Sequence, residues 1–216
     1  MVQLGNWQLS RAQEKEWRQE QLDRLSNEPA IVLPALPVIL EDFQYRQVEV
    51  RGEYIPEHTI YLDNKIHRGV AGYHIVTPLR IGTSTMHVLV NRGWAPADSD
   101  RSKLPQVPVP AGQVVVSGIA TTAVQKTLEL SKEIVSGQVW ANLDPDRYQS
   151  ITGIALQPVM ILQTDDVKDG LVRQWARPDS GSAKNWGYAV QWFSMALAVL
   201  IIYLVLSGKR DRSKKE

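Results

Sequence analysis

Tyr188 to Leu206 reads YAVQWFSMALAVLIIYLVL, 19 residues without a charge, in which Gln191 and Ser194 are the clearly polar members. As an α-helix rising 1.5 Å per residue it extends about 28 Å, enough to cross the hydrocarbon core of a bilayer. Trp186, Tyr188 and Trp192 gather at its N-terminal end, and amphipathic rings favour the membrane interface. A helix in a soluble core is seldom apolar on every side. This one also runs into Ser207–Glu216, where Lys209, Arg210, Arg212, Lys214 and Lys215 oppose Asp211 and Glu216. The pattern predicts a transmembrane helix followed by a cytoplasmic tail, because short basic flanks stay inside.

That topology places everything before the helix on the far side of the membrane. Yet the N-terminal stretch MVQLGNWQLSRAQEKEW contains no apolar signal or anchor. A further membrane helix upstream of Met1 is therefore expected; the alternative is a tail anchor inserted against its charge bias. The whole chain of 216 residues has a formal net charge of +1. A near-neutral chain lacks the basic excess that phosphate contacts require, so no nucleic-acid partner is expected. The absence of cysteine removes disulfides, thiolate metal sites and cysteine nucleophiles.

Gln8 to Asn27 contains neither Gly nor Pro and pairs Glu14 with Arg18 and Glu20 with Arg24 at i,i+4. Its apolar residues (Leu9, Trp17, Leu22, Leu25) are sparse, which predicts a solvated helical stalk. Leu4, Gly5 and Trp7 suit the interfacial end of a preceding span. Pro29, Pro34 and Pro37 then mark a boundary. Beyond them Val48 and Val50 alternate with polar residues, the period of a strand. Strand-like runs recur at Thr59–Leu62, Tyr73–Leu79, Met86–Val90, Val114–Ile119, Val139–Leu143 and Pro158–Leu162. Ile81–Ser84 reads as a hairpin turn, and Asp144-Pro145 opens a short helix through Ile151. The fold class is mainly β, an antiparallel small barrel or sandwich, with an N-terminal helical stalk and a C-terminal transmembrane helix. The expected divisions are a stalk over 1–28, a β domain over 29–184 with a flexible approach at 179–184, a membrane helix over 185–207 and a basic tail over 208–216.

No catalytic constellation is legible. There is no nucleophile elbow, phosphate loop or dinucleotide fingerprint. The carboxylate pairs Glu53/Asp63 and Asp165/Asp166 suit turns and strand faces equally well. His58, His67, His74 and His87 lack compact ligand spacing, and Arg68 beside His67 disfavours a cation. No metal site and no enzymatic activity are expected. Asn91-Arg92-Gly93-Trp94 stands out, because a strand runs into an arginine, a conformationally free glycine and a tryptophan. One reading has Trp94 packed over a barrel mouth and Arg92 paired with a carboxylate. The other makes Asn91, Arg92, Trp94 and Tyr73 a partner-binding set, since Trp and Arg dominate interface hot spots.

LGNWQLSRAQEK (4–15), GEY (52–54), LDN (62–64), GYHIVTPL (72–79), VLVNRGW (88–94), VWANLD (139–144) and YAVQWF (188–193), in that order, resemble the surfeit-locus-protein-one family. The resemblance implies an extracytoplasmic β domain flanked by two membrane helices in a bacterial inner membrane. It further implies assistance to the assembly of haem–copper cytochrome c oxidase, with an oxidase subunit and other assembly proteins as partners. It assigns a haem a ligand to the histidine three residues before the tyrosine of YAVQWF. That position is Asn185 here, and an asparagine amide is a very poor substitute for imidazole at haem iron. Tyr188, Gln191 and Trp192 are the residues expected to shape a cofactor cavity at the membrane face. Gln191 pairing with a neighbouring helix and Trp192 anchoring at the interface is the plainer reading of two of them. Three functions follow: an assembly factor that assists haem a insertion or stabilises the nascent subunit, a direct haem a carrier, or a membrane-anchored adaptor of an unrelated complex.

Overall fold

The computed structural model describes residues 2–123, 135–175 and 182–212. They divide into two compact units: a β body over 25–175, and a helical unit that joins 2–24 to the C-terminal helix.

In the β body, alternation writes the barrel. Strand β2 (Gln47–Tyr54) buries Val48, Val50 and Tyr54 on one face and exposes Glu49 and Arg51 on the other. It pairs antiparallel with β6 (Gln113–Thr122), which pairs antiparallel with β9 (Ala155–Gln163). Strand β9 runs parallel to β5 (Met86–Pro96), and β5 pairs antiparallel with β4 (Val70–Ile81). Strand β4 returns to β2 through Gly52↔Ile81 to Tyr54↔Leu79, closing a five-stranded barrel. Gly52 is the hinge of closure, since it pairs with Val114 on one side and Ile81 on the other. A Cβ there would stand 2.1 Å from the Arg80 carbonyl oxygen, so only glycine lets β2 serve both neighbours.

The barrel interior is apolar, with Val48, Val50, Leu79, Val90, Val116 and Ile161 among its fully buried side chains. Further strands extend the sheet: β1 (Ile31–Val32) parallel to β2, β3 (Ile60–His67) beside β4, and β7 (Val135–Ser136) with β8 (Val139–Trp140) beyond β3. A short helix (α2) follows β1 at Leu40–Phe43. The proline-rich stretch before it is stitched down by Gln157, whose amide donates to the Pro34 and Leu36 carbonyls and accepts from the Val38 N–H. Outside the barrel, Trp140, Leu143 and Tyr148 cover Leu62, Val76, Leu89 and Met160. Tyr148 belongs to α3 (Pro145–Thr152), which Asp144 caps by accepting from the Asp146 and Arg147 N–H groups.

The closed barrel resolves the barrel-or-sandwich alternative. The antiparallel expectation is corrected at three places, because β1–β2, β3–β8 and β5–β9 are parallel. The last follows from α3, which carries the chain across before β9 so that it re-enters beside β5 in the same direction. Strand β5 runs on to Pro96 instead of stopping at Val90, and the run at Val139–Leu143 shortens to Val139–Trp140.

In the helical unit, α1 (Val2–Asn27) starts upstream of the expected Gln8. Arg11 pairs with Glu14 at 2.9 Å; the Arg18 side chain of the expected Glu14–Arg18 pair lies outside the described residues. Helix α4 covers Ser182–Arg212, so helix begins at Ser182, inside the expected flexible approach, and continues into the basic segment as far as Arg212. Residues 179–181 and 213–216, with Lys214 and Lys215, lie outside the described residues. Ser182–Tyr203 is long and apolar enough to cross a membrane. Leu197, Val199, Leu200, Ile201, Ile202 and Tyr203 each expose more than half their surface, which a soluble core helix would not do.

Candidate functional site

Within the helical unit α1 and α4 pack antiparallel, with Gly5 against Phe193 and Glu16 against Trp186. The contact stripe on α1 recurs every three or four residues through Gly5, Gln8, Ala12 and Lys15, of which Gly5 and Ala12 are buried. Small residues at that spacing let two helices approach closely; a Cβ on Gly5 would stand 2.9 Å from the Phe193 ring. Opposite them on α4 lie Asn185, Ala189 and Trp192, with Ala189 buried and the other two half-buried.

Asn185 is the polar centre of this contact. Its Nδ2 donates to Gln8 Oε1 at 2.7 Å, and its Oδ1 accepts from Lys15 Nζ at 2.8 Å. At the next position of each helix, Trp186 Nε1 donates to Glu16 Oε1 at 2.7 Å. Both ends of the Asn185 amide are thus engaged, and the residue offers no imidazole. The residues present at position 185 do not fit axial ligation of haem iron. The four histidines all belong to the β body. Of the other three residues expected to shape a cavity, Trp192 shares the Asn185 stripe while Tyr188 and Gln191 are exposed on α4.

The Asn91–Trp94 segment sits in the β body as the middle of β5, not at its end. Val76 pairs with Asn91 and Ile75 with Gly93, so Arg92 is the extra residue of a β-bulge. Gly93 takes φ +144°, and a Cβ there would stand 2.8 Å from Leu171 Cβ. The bulge withdraws the Arg92 side chain to 1% exposure. There its Nη2 donates to the Pro108 carbonyl at 2.7 Å and to Asp169 Oδ2 at 3.2 Å, and its guanidinium lies 5.4 Å from the centre of the Tyr54 ring. Arg173 Nη2 donates to the same Asp169 oxygen at 2.5 Å. Burial works to raise the Asp169 pKa, but the Arg173 hydrogen bond, the Leu171 N–H and the two guanidinium charges outweigh it and hold the carboxyl below its ordinary value.

The neighbours are equally enclosed. Trp94 Nε1 donates to the Lys65 carbonyl at 2.7 Å, its ring covers Gly72, and its backbone exchanges two hydrogen bonds with Val172. Asn91 Nδ2 donates to His74 Nδ1 at 3.2 Å, and Trp175 meets the His74 ring edge-on. Burial first, and the Lys65 charge second, push the His74 pKa down to about 4. Tyr73 is 2% exposed, edge-on to Tyr61 and beneath the Arg101 guanidinium. Asn91, Arg92, Trp94 and Tyr73 are therefore all interior side chains of the β body and present no outer contact surface in this conformation. Sequence reasoning missed Asp169, Arg173 and Tyr54. Their signal is weak, because an Asp and an Arg four apart around a glycine read as a plain loop.

Among the described residues no three or more His, Asp or Glu gather where they would hold a metal ion. The SURF1 family model matches residues 1–197, which takes in α1, the β body and the first half of α4. Similar proteins include a SURF1-like protein of Rickettsia conorii, 24% identical over 95% of this chain and 85% of that one. A SURF1-like protein of Drosophila melanogaster is 28% identical over 93% of this chain and 71% of its own. Surfeit locus protein 1 of Takifugu rubripes is 25% identical over 73% and 71%. With its N-terminal helix, its barrel and the first half of its apolar C-terminal helix inside the matched span, this chain belongs to the SURF1 family.

Proposed function

We propose that this protein is a membrane-anchored assembly factor for a haem–copper cytochrome c oxidase and carries out no chemistry of its own. The observation that carries this reading is the family match over residues 1–197, which covers the β body and runs on into the membrane-helix candidate. A protein that must meet a nascent membrane subunit needs both a lateral membrane element and a body that reaches out of the bilayer. The basic residues Lys209, Arg210, Arg212, Lys214 and Lys215 after the apolar run favour a cytoplasmic C-terminus. The β body then lies on the outer face of a bacterial inner membrane, and α4 meets the oxidase helices within it.

In this reading the factor stabilises the nascent subunit while haem a is inserted, and haem ligation by Asn185 is not part of it. Exposed Tyr188 and Gln191 on α4 are the residues offered to a neighbouring helix, since polar groups in such a helix seek protein partners. The test is deletion of the gene followed by measurement of oxidase activity and membrane haem a, with complementation by the intact chain. A fall in both, restored by the gene, is expected. A fully active, fully haem-loaded oxidase in the deletion strain would remove the assembly role, and crosslinked partners other than oxidase subunits would favour an unrelated adaptor.

A further inference from the structure

The buried charges at the barrel end do not balance. Arg92 and Arg173 both donate to one oxygen, Asp169 Oδ2, and the three side chains are 1%, 9% and 5% exposed. Two guanidiniums share one carboxylate, so the triad carries one net positive charge away from water. A buried charge without a counter-charge costs several kcal/mol by general principle, and proteins compensate it with a partner or a bound ion. A further carboxylate, Asp165, makes no ion pair with either arginine; it is half-exposed and accepts from the Ser117 N–H at 2.8 Å and from Gln163 Nε2 at 3.4 Å.

Beside the triad is a cavity of about 90 Å³ lined by Tyr54, Arg92, Gln163 and Asp169, with Pro110, Val114 and Val167 as apolar walls. It has room for a few waters or one oxyanion of a few heavy atoms. Three of its lining side chains, each more than nine-tenths buried, keep a polar atom without a protein partner: Arg92 Nη1, Tyr54 Oη and Gln163 Oε1. Two of these atoms can donate and one can accept. Burial also raises the Tyr54 pKa, so its hydroxyl keeps the proton it would donate.

We propose that this cavity is a binding site for a small monovalent oxyanion of the carboxylate or hydrogencarbonate class. Arg92 Nη1 and Tyr54 Oη donate to the anion's oxygens, its charge balances the Arg92–Asp169–Arg173 triad, and Gln163 Oε1 accepts from a hydroxyl where the anion carries one. Two separate donors, Arg92 Nη1 and the Tyr54 hydroxyl, suit an ion with two oxygens better than a halide. The site lies wholly within the β body and stands independently of the assembly role.

The experiment titrates the detergent-solubilised full chain with formate and with hydrogencarbonate at fixed pH, using chloride at matched ionic strength as the reference. Thermal unfolding is the readout, together with line broadening of ¹³C-labelled formate. A saturable rise in unfolding temperature above chloride is expected. Tyr54→Phe should weaken the apparent affinity about tenfold, the worth of one hydrogen bond to a charged group. Since that hydroxyl has no protein partner, the substitution leaves the fold in place. Val167→Phe, which fills the cavity and spares every polar group, should abolish the response. No response beyond chloride would overturn the proposal, and so would a response that both variants retain in full.

Discussion

Arg92 and Asp169, 77 residues apart in the chain, form an ion pair sealed inside the barrel end, with Nη2 at 3.2 Å from Oδ2 and side chains 1% and 5% exposed. The pair exists because the bulge at Arg92 turns its side chain inward, and because Val172 bonds to the Trp94 backbone and fixes the loop that carries Asp169.

Asp169→Ala removes the carboxylate that two buried guanidiniums share. The expected loss is about 3–5 kcal/mol, the usual result of stripping one partner from a buried pair. Chemical denaturation of the solubilised protein measures it. A loss below about 1 kcal/mol would mean that water reaches Arg92 and Arg173 freely.

Gly52→Ala should open the barrel at its seam. The added Cβ meets backbone, the Arg80 carbonyl, which cannot rotate away as a side chain would. Destabilisation of about 1–3 kcal/mol or more is expected from such overpacking. Gly112→Ala provides the contrast: its φ of +76° is costly, but a Cβ there meets nothing within 4 Å. It should lose about 1–2 kcal/mol through the left-handed backbone alone. Thermal melts of the two variants, read with backbone NMR shifts of β2 and β4, separate the effects: only Gly52→Ala should disturb the β2–β4 pairing.

Asn185→Ala should loosen the helix pair by about 1–2 kcal/mol, because it strands the Gln8 and Lys15 groups that the amide satisfies. A double-mutant cycle with Gln8→Ala, followed by hydrogen exchange of the α1 amides, should return a coupling of about 0.5–1.5 kcal/mol. Strictly additive losses would show that the two side chains act separately.

Stability should fall as the pH drops from about 7 towards 4. In the folded protein the His74 pKa is about 4 against an ordinary 6.5, so between those values the unfolded chain binds more protons and acid favours unfolding. The shift corresponds to at most about 3 kcal/mol across that window. His87, also lowered by burial, works in the same direction. Asp169 has a depressed pKa, and its contribution is present above its ordinary 3.8 and is lost only below it, outside the window. His74→Gln keeps an acceptor for Asn91 and should flatten the slope above pH 4.5; an unchanged slope would clear His74 of the effect.

The elements that local chemistry specifies were legible residue by residue. Val48 and Val50 announced a half-buried strand, Asp144-Pro145 announced a helix start, and Ile81–Ser84 announced a hairpin. Strand β5 was cut short at Val90 because Asn91, Arg92 and Gly93 interrupt its apolar run, although a bulge carries the strand through them. The α1–α4 contact was hidden for a related reason. Its stripe is Gly5, Gln8, Ala12 and Lys15, and small and polar residues give no hydrophobic period to read.

By itself the sequence determined the apolar C-terminal helix with its basic flank, the mainly β character of the body and the family resemblance, because each rests on patterns a few residues long. Only the tertiary structure decided that the β domain closes as a barrel at Gly52 and that β9 enters parallel to β5. It likewise decided that Arg92 turns inward to Asp169. These outcomes depend on contacts between residues tens of positions apart, where closure geometry and the cost of burying charge, not local preference, select the arrangement.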